Sequence, residues 1–184
     1  MSVQITDMHT EETDIDGLLV ITVKQVSDDR GTVREFLRLS TLDGFGTIRQ
    51  INVTESGHGA VRGLHGEDTT KLVGCISGEA LGAYLDARPV SASYGTVVTV
   101  ELSPGTVVLV PPGVCNGFQS LSEGGTQYLY CFTEEWYPGM PGTAFSPLDE
   151  GLGISWPIPV DASNPAQLSA KDAAAPKFSE MGNG

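Results

Sequence analysis

The sequence is short of histidine, cysteine, cationic residues and long apolar runs, and each shortage excludes something. Its 184 residues carry only 10 Lys and Arg against 23 Asp and Glu, a formal net charge of −13. Such a surface does not suit nucleic acid, which needs a basic stripe. Any anionic ligand would have to be met by a focused cationic cluster inside an acidic body, and Arg30, Arg62, Lys71 and Arg88 lie near the segments of interest below. No apolar stretch reaches the roughly 18 residues of a membrane span, and the opening Met1-Ser2-Val3-Gln4 lacks the charged and apolar regions of a signal peptide. The chain is therefore expected to be soluble and cytoplasmic, with no membrane partner. Three cysteines (Cys75, Cys115, Cys131) form no C-x-x-C pair and are expected to stay reduced and structural. Internal repeats and low-complexity tracts are absent.

Helix signals are also scarce. The best one begins at Ser169, where Ser-Ala-Lys-Asp resembles a capping box and Ala173–Ala175 favour helix until Pro176. The final Gly182-Asn183-Gly184 is expected to fray. What the sequence has in quantity is 23 glycines, 11 prolines and short β-branched stretches. Residues 1–15 are polar and acidic and are expected to form an arm, with residues 16–184 as one domain. Strands are expected at Leu18–Val26, Thr32–Leu39, Thr47–Thr54, Leu72–Ser77, Ala80–Asp86, Thr96–Leu102, Thr106–Val110 and Thr126–Thr133. Turn chemistry separates them at Asp28-Asp29-Arg30-Gly31, Ser103-Pro104-Gly105 and Pro111-Pro112-Gly113. Breaks every eight to twelve residues or so signal an antiparallel sandwich or barrel. Period-2 alternation puts Gln50, Asn52 and Thr54 on one strand face and Ile51 and Val53 on the other, and gives Tyr128, Tyr130 and Phe132 a common face. The polar face of 50–54 meets either solvent, the commoner case, or a pocket.

The chemistry centres on Arg62-Gly63-Leu64-His65 and Lys71, with Leu129-Tyr130 and Leu168-Ser169-Ala170-Lys171-Asp172 further on. His65 is one of three histidines. His9 sits in the polar stretch and His58 in a glycine-rich turn. Imidazole is the usual general base near neutral pH, although a lone histidine is more often a packed one. Gly63 inside an apolar strand hints at a bulge that would re-aim its neighbours. Lys71 is either a surface lysine or the cation beneath an oxyanion. Tyr130 is either core or a proton donor. Asp172 either caps its own helix or orients a histidine. Metal binding is not expected, because Arg62–Glu67 offers one histidine and Glu67 with no second histidine nearby. Cys115 paired with His65 would permit a cysteine hydrolase, but nothing in the sequence lowers the thiol pKa.

Together these segments resemble the dTDP-4-dehydrorhamnose 3,5-epimerase family of nucleotide-sugar epimerases, from about Gly17 to Pro176. The matching pieces keep the family's order: Asp29-Arg30-Gly31 with Glu35-Phe36, Gln50-x-Asn52, Arg62-Gly63-Leu64-His65, Lys71-Leu72-Val73 and Gly78-Glu79. After these come Asp86-x-Arg88, Ser93-Tyr94-Gly95, Pro112-Gly113, Leu129-Tyr130, Ile154-Ser155-Trp156-Pro157 and Leu168-Ser169-x-Lys171-Asp172. The resemblance implies an all-β, cupin-type jelly roll with a short C-terminal helix, dimerising by exchange of N-terminal strands and using neither cofactor nor metal. It implies that His65 is the base, Asp172 its orienting carboxylate, Lys71 the cation near the sugar oxygen and Tyr130 the acid on the opposite ring face. Arg30, Glu35, Gln50, Asn52 and Arg62 fall at nucleotide- and sugar-contacting positions, and Trp136 where an aromatic stacks on the base. Two departures lie near the expected pocket. Only Gly66–Thr70 separate His65 from Lys71, and Cys115-Asn116-Gly117 replaces Ala-His-Gly, which puts Asn116 among the substrate-facing residues. The alternatives are a 3,4-ketoisomerase on a similar barrel and a non-catalytic sugar-nucleotide-binding barrel. The second would be favoured if Asp172 capped its helix without touching His65.

Overall fold

The computed structural model of the chain describes residues 3–42 and 45–181. The terminal Gly182-Asn183-Gly184, expected to fray, lies outside the described residues. Within the polar N-terminal stretch, β1 (Gln4–Thr6) and β2 (His9–Glu12) are exposed strands. The strand expected over Leu18–Val26 divides into β3 (Leu19–Thr22) and β4 (Gln25–Asp28), and the Asp29-Arg30 turn leads to β5 (Gly31–Arg34). The division moves the chain between sheets: β2 and β3 belong to a six-stranded sheet, whereas β1, β4 and β5 form a small sheet of their own.

Eight strands then fold as one long ribbon. They are β6 (Gln50–Ser56), β7 (Val61–Glu67), β8 (Lys71–Ser77), β9 (Ala80–Asp86), β10 (Val97–Leu102), β11 (Thr106–Val110), β12 (Val114–Ser120) and β13 (Thr126–Phe132). The first pairs with the last, the second with the seventh, the third with the sixth and the fourth with the fifth, all antiparallel. That nested pairing is a jelly roll, and the fold is all-β with one short C-terminal helix, as expected. The short β14 (Gly142–Ala144) joins the edge of the five-stranded sheet beside β7, giving the order β10-β9-β12-β7-β14. The other sheet runs β2-β3-β11-β8-β13-β6. The sequence reading did not mark β12 or β14 as strands. β12 is buried along its whole length, so it lacks the alternation that marks a half-exposed strand.

The sheets bury Val73, Cys75, Val108, Tyr84, Phe118 and Tyr128 between them, with the Phe118 and Tyr128 rings stacked at 4.1 Å. Outside the six-stranded sheet, Phe36, Leu37, Leu42 and Phe45 cover Leu72 and Val107. Outside the five-stranded sheet, Phe145, Leu152 and Phe178 cover Leu64, Leu85 and Cys115. The single α-helix among the described residues, α1 (Ala170–Ala173), packs near β7. No helix among the described residues is long and apolar enough to cross a membrane.

Candidate active site

A cavity opens beside the core, and β7 shapes it. Asn116 of β12 is the cross-strand partner of His65, yet Phe118, two residues on, is the partner of Arg62, three residues back. The extra residue on β7 is a β-bulge, which re-aims the side chains beside it. Only glycine fits at its centre. Gly63 has φ +120°, and a Cβ there would lie 2.5 Å from Gly117 Cα and 2.8 Å from Asn116 O. As a result Arg62 and His65 both reach a cavity of about 500 Å³, while Leu64 is fully buried on the other face. A cavity of that size suits a small-molecule ligand.

His65 Nε2 lies 2.7 Å from Asp172 Oδ1. The helix expected at Ser169 makes this contact possible. Ser169 Oγ accepts from the Asp172 backbone N–H as the N-cap, and the Asp172 carboxylate is left for the imidazole. Burial alone would raise the Asp172 carboxyl. The hydrogen bond and charge of His65, together with the Gly63 N–H, outweigh burial and hold it below the usual carboxylate range. An ionised carboxylate on Nε2 favours the tautomer protonated there and leaves Nδ1 as the basic nitrogen.

The opposite wall comes from the other sheet. Tyr130 of β13 sits beside its cross-strand partner Asn52 of β6, and both line the cavity with Phe132. The polar face of β6 thus borders the cavity. Asn52, though solvent-accessible, faces the cavity with Thr54, while Ile51 and Val53 on the other face are exposed at 57% and 52%. Burial pushes the Tyr130 phenol above its ordinary value against the opposing pull of Arg62. Trp136 stands at the rim, half exposed. Gln50 does not line the cavity. Its Oε1 accepts from the Trp136 backbone N–H at 2.8 Å and its Nε2 donates to Asn52 Oδ1 at 3.1 Å, so it positions two residues that do.

A narrower recess of about 40 Å³ adjoins the main cavity, bounded by His65, Tyr130, Lys71 and Asn116. The Lys71 side chain is 2% exposed and pairs with Glu67 at 2.5 Å. Glu67 entered the sequence reading only as an inadequate metal ligand, and its role as counterion to Lys71 was missed. Pro165, Ala166 and Gln167, which close one side of the cavity with Leu168, Ser169 and Lys171, were missed as well. Among the described residues no three His, Cys, Asp or Glu side chains are grouped to hold a metal.

Two expected site residues lie elsewhere in this chain. Arg30 sits at the β4–β5 turn, exposed and paired with Asp28 at 2.6 Å, and Glu35 pairs with Arg38. Neither lines the cavity. Cys115 is fully buried, 3.2 Å from Thr143 Oγ1. Burial raises its thiol pKa despite that hydrogen bond, which removes the basis for a thiolate nucleophile.

A profile of the family described as dTDP-4-dehydrorhamnose 3,5-epimerase matches residues 12–180. The dTDP-4-dehydrorhamnose 3,5-epimerase of Salmonella typhimurium is 35% identical over 175 residues, covering 90% of this chain and 92% of that protein. The crystal structure of a dTDP-6-deoxy-D-glucose-3,5-epimerase from Legionella pneumophila, in complex with dTDP-4-keto-L-rhamnose, superposes with a TM-score of 0.84 at 30% identity, covering 96% of this chain and 95% of that one. A 3′-monoepimerase from Streptomyces bikiniensis in complex with dTDP-quinovose gives 0.80 at 28% identity, covering 91% and 86%.

Proposed function

Because the chain belongs to the dTDP-4-dehydrorhamnose 3,5-epimerase family of isomerases, we propose that it inverts C3, C5 or both in a dTDP-linked 4-keto-6-deoxyhexose. The observation that carries this reading is the opposition of two rings across one cavity. The imidazole of His65 comes from the five-stranded sheet and the phenol of Tyr130 from the six-stranded sheet.

The hydrogens on C3 and C5 are acidified by the C4 carbonyl, so their removal gives an enolate with its charge on O4. His65 Nδ1 takes the proton from one ring face, and Asp172 stabilises the resulting imidazolium. Tyr130 delivers a proton to the other face, and the centre inverts. Lys71 places the positive charge of the site beside the recess where O4 would sit. The ketone supplies the acidity, so the reaction needs neither cofactor nor metal. Arg62 and Asn52 contact the sugar nucleotide and Trp136 stacks on its base. A 3,4-ketoisomerase, which shuttles a proton on one face, gives Tyr130 on the opposite wall no role.

Arg30 and Glu35 fit this reading if they serve the cavity of a second copy. Ile5, Val26 and Val33 form a cross-strand row on the small sheet, and all are exposed, Val33 at 73%. Strand β6 is a free edge flanked by exposed Ile51 and Val53. The reading is therefore a homodimer in which residues 1–15 form an exchanged arm and residues 16–184 one catalytic domain. Three buried, unpaired cysteines suit the reducing cytoplasm.

The test is solvent exchange. Incubated with dTDP-4-keto-6-deoxyglucose in heavy water, the protein is expected to introduce deuterium at C3, C5 or both, and the positions labelled give the regiochemistry. His65→Asn is expected to abolish labelling while the protein keeps its thermal transition. An absence of label with the wild-type chain would remove this assignment.

A further inference from the structure

The hydrogen bonds of Lys71 leave the ammonium nothing to give a substrate. An ammonium has three N–H donors and no acceptor. Lys71 Nζ donates to Glu67 Oε2, to Asn116 Oδ1 and, at 3.3 Å, to the His65 carbonyl. Its charge is also matched by the Glu67 carboxylate at 2.5 Å. Both places where the chain departs from the family pattern, the short His65–Lys71 spacing and Asn116, meet at this ammonium.

Asn116 is oriented by the same contacts. The oxygen and nitrogen of a carboxamide are usually assigned by context, but a group that can only donate must face the oxygen. Lys71 therefore pins Oδ1 and turns Nδ2 away from itself. Nδ2 makes no hydrogen bond among the described residues. Yet the buried side-chain polar atoms lacking a partner among them are the hydroxyls of Tyr84 and Tyr128, not this nitrogen. Asn116 is itself 5% exposed, so Nδ2 must touch open space. Asn116 lines the recess of about 40 Å³, large enough for one water-sized group. His65 is its direct cross-strand neighbour and Tyr130 shares the recess.

We propose that in this chain Asn116 Nδ2 is the hydrogen-bond donor to the substrate's carbonyl oxygen, and that Lys71 is a positioning residue acting through it. The ammonium fixes the amide and polarises it, which strengthens the outward N–H as a donor. A neutral amide backed by a paired cation stabilises the developing oxyanion without leaving a bare charge in the recess. This inference rests on the epimerase reading above.

The experiment measures initial rates of deuterium incorporation from heavy water into dTDP-4-keto-6-deoxyglucose by the full chain and its variants, with a thermal melt of each. Asn116→Asp keeps the size and the acceptor for Lys71 but loses the donor. It is expected to lower kcat about 100- to 1,000-fold, with KM within about threefold of wild type. Asn116→Ala, which adds no charge, gives the same reading if the aspartate variant melts too low to assay. Asn116→His restores an N–H donor and is expected to return to within about tenfold of wild type. Lys71→Met frees the amide without removing it, so it should lower kcat by less than Asn116→Asp or Asn116→Ala. Exchange within about threefold of wild type in the aspartate and alanine variants, or a larger loss in Lys71→Met than in either, would overturn the proposal while leaving the epimerase assignment standing. A wild-type chain that gave no label would remove that assignment itself.

Discussion

A proton donor must still hold its proton at the working pH, and burial gives Tyr130, the proposed donor, that property. Desolvation raises the phenol because it disfavours the phenolate, and the nearby Arg62 cation offsets only part of this. A raised pKa extends the protonated range upward, so inversion is expected to persist through pH 10 or so, where an unperturbed tyrosine ionises. A pH–rate profile showing activity lost with an apparent pKa at that ordinary value would move the acid role to another group. Tyr130→Phe is expected to retain exchange at the base-facing position while inverted product falls about 100-fold or more. Equal loss of both would mean that Tyr130 acts earlier than reprotonation. Asp172 shows how far a residue can be read from sequence. Its place in a short helix after Ser169 was legible, but the choice between capping and orienting was not. The Ser169 hydroxyl takes the cap, and only the approach of a residue 107 positions away fixes where the carboxylate points.

At the scale of the element, the bulge on β7 decides which side chains the cavity receives. A regular strand would put Arg62 and His65 on opposite faces, because successive side chains alternate. The extra residue at Gly63 brings both to one side. Gly63→Ala requires a Cβ at 2.5 Å from Gly117 Cα, with φ at +120°. It is expected to cost more than about 2 kcal/mol in chemical denaturation. Exchange activity should fall even under conditions where the variant is folded, since relief of the clash re-aims His65. An alanine variant as stable and active as wild type would mean that the bulge tolerates a side chain. The glycine was visible in the sequence as an oddity inside an apolar strand, and the bulge could be anticipated from it. That Asn52 and Thr54 face the cavity could not. Alternation fixes which residues share a face, but neighbouring strands fix which face is inside.

For the molecule as a whole, the distribution of charge and apolar surface bears on assembly. An acidic chain keeps copies apart at long range, so a stable dimer needs contiguous apolar contact. The Ile5–Val26–Val33 row and the β6 edge offer it. Light scattering is expected to give twice the chain mass of 19.4 kDa. Val33→Glu, which puts a charge on that row, is expected to give monomers. In those monomers KM should rise about tenfold or more, because Arg30 and Glu35 would no longer reach a second cavity. A wild-type monomer with full activity would refute the exchanged-arm reading.

The sequence by itself determined much of the strand-and-turn rhythm, the helix start at Ser169 and the choice of an imidazole, a phenol, a carboxylate and an ammonium as candidates, because local propensity and side-chain chemistry are carried by residue types. The tertiary structure alone decided which sheet holds each ring, that Glu67 neutralises Lys71, and that Gln50 braces Trp136 rather than lining the cavity. Those outcomes depend on the pairing of distant strands. Register between β7 and β12, and between β6 and β13, is a property of the folded ribbon that no single segment encodes.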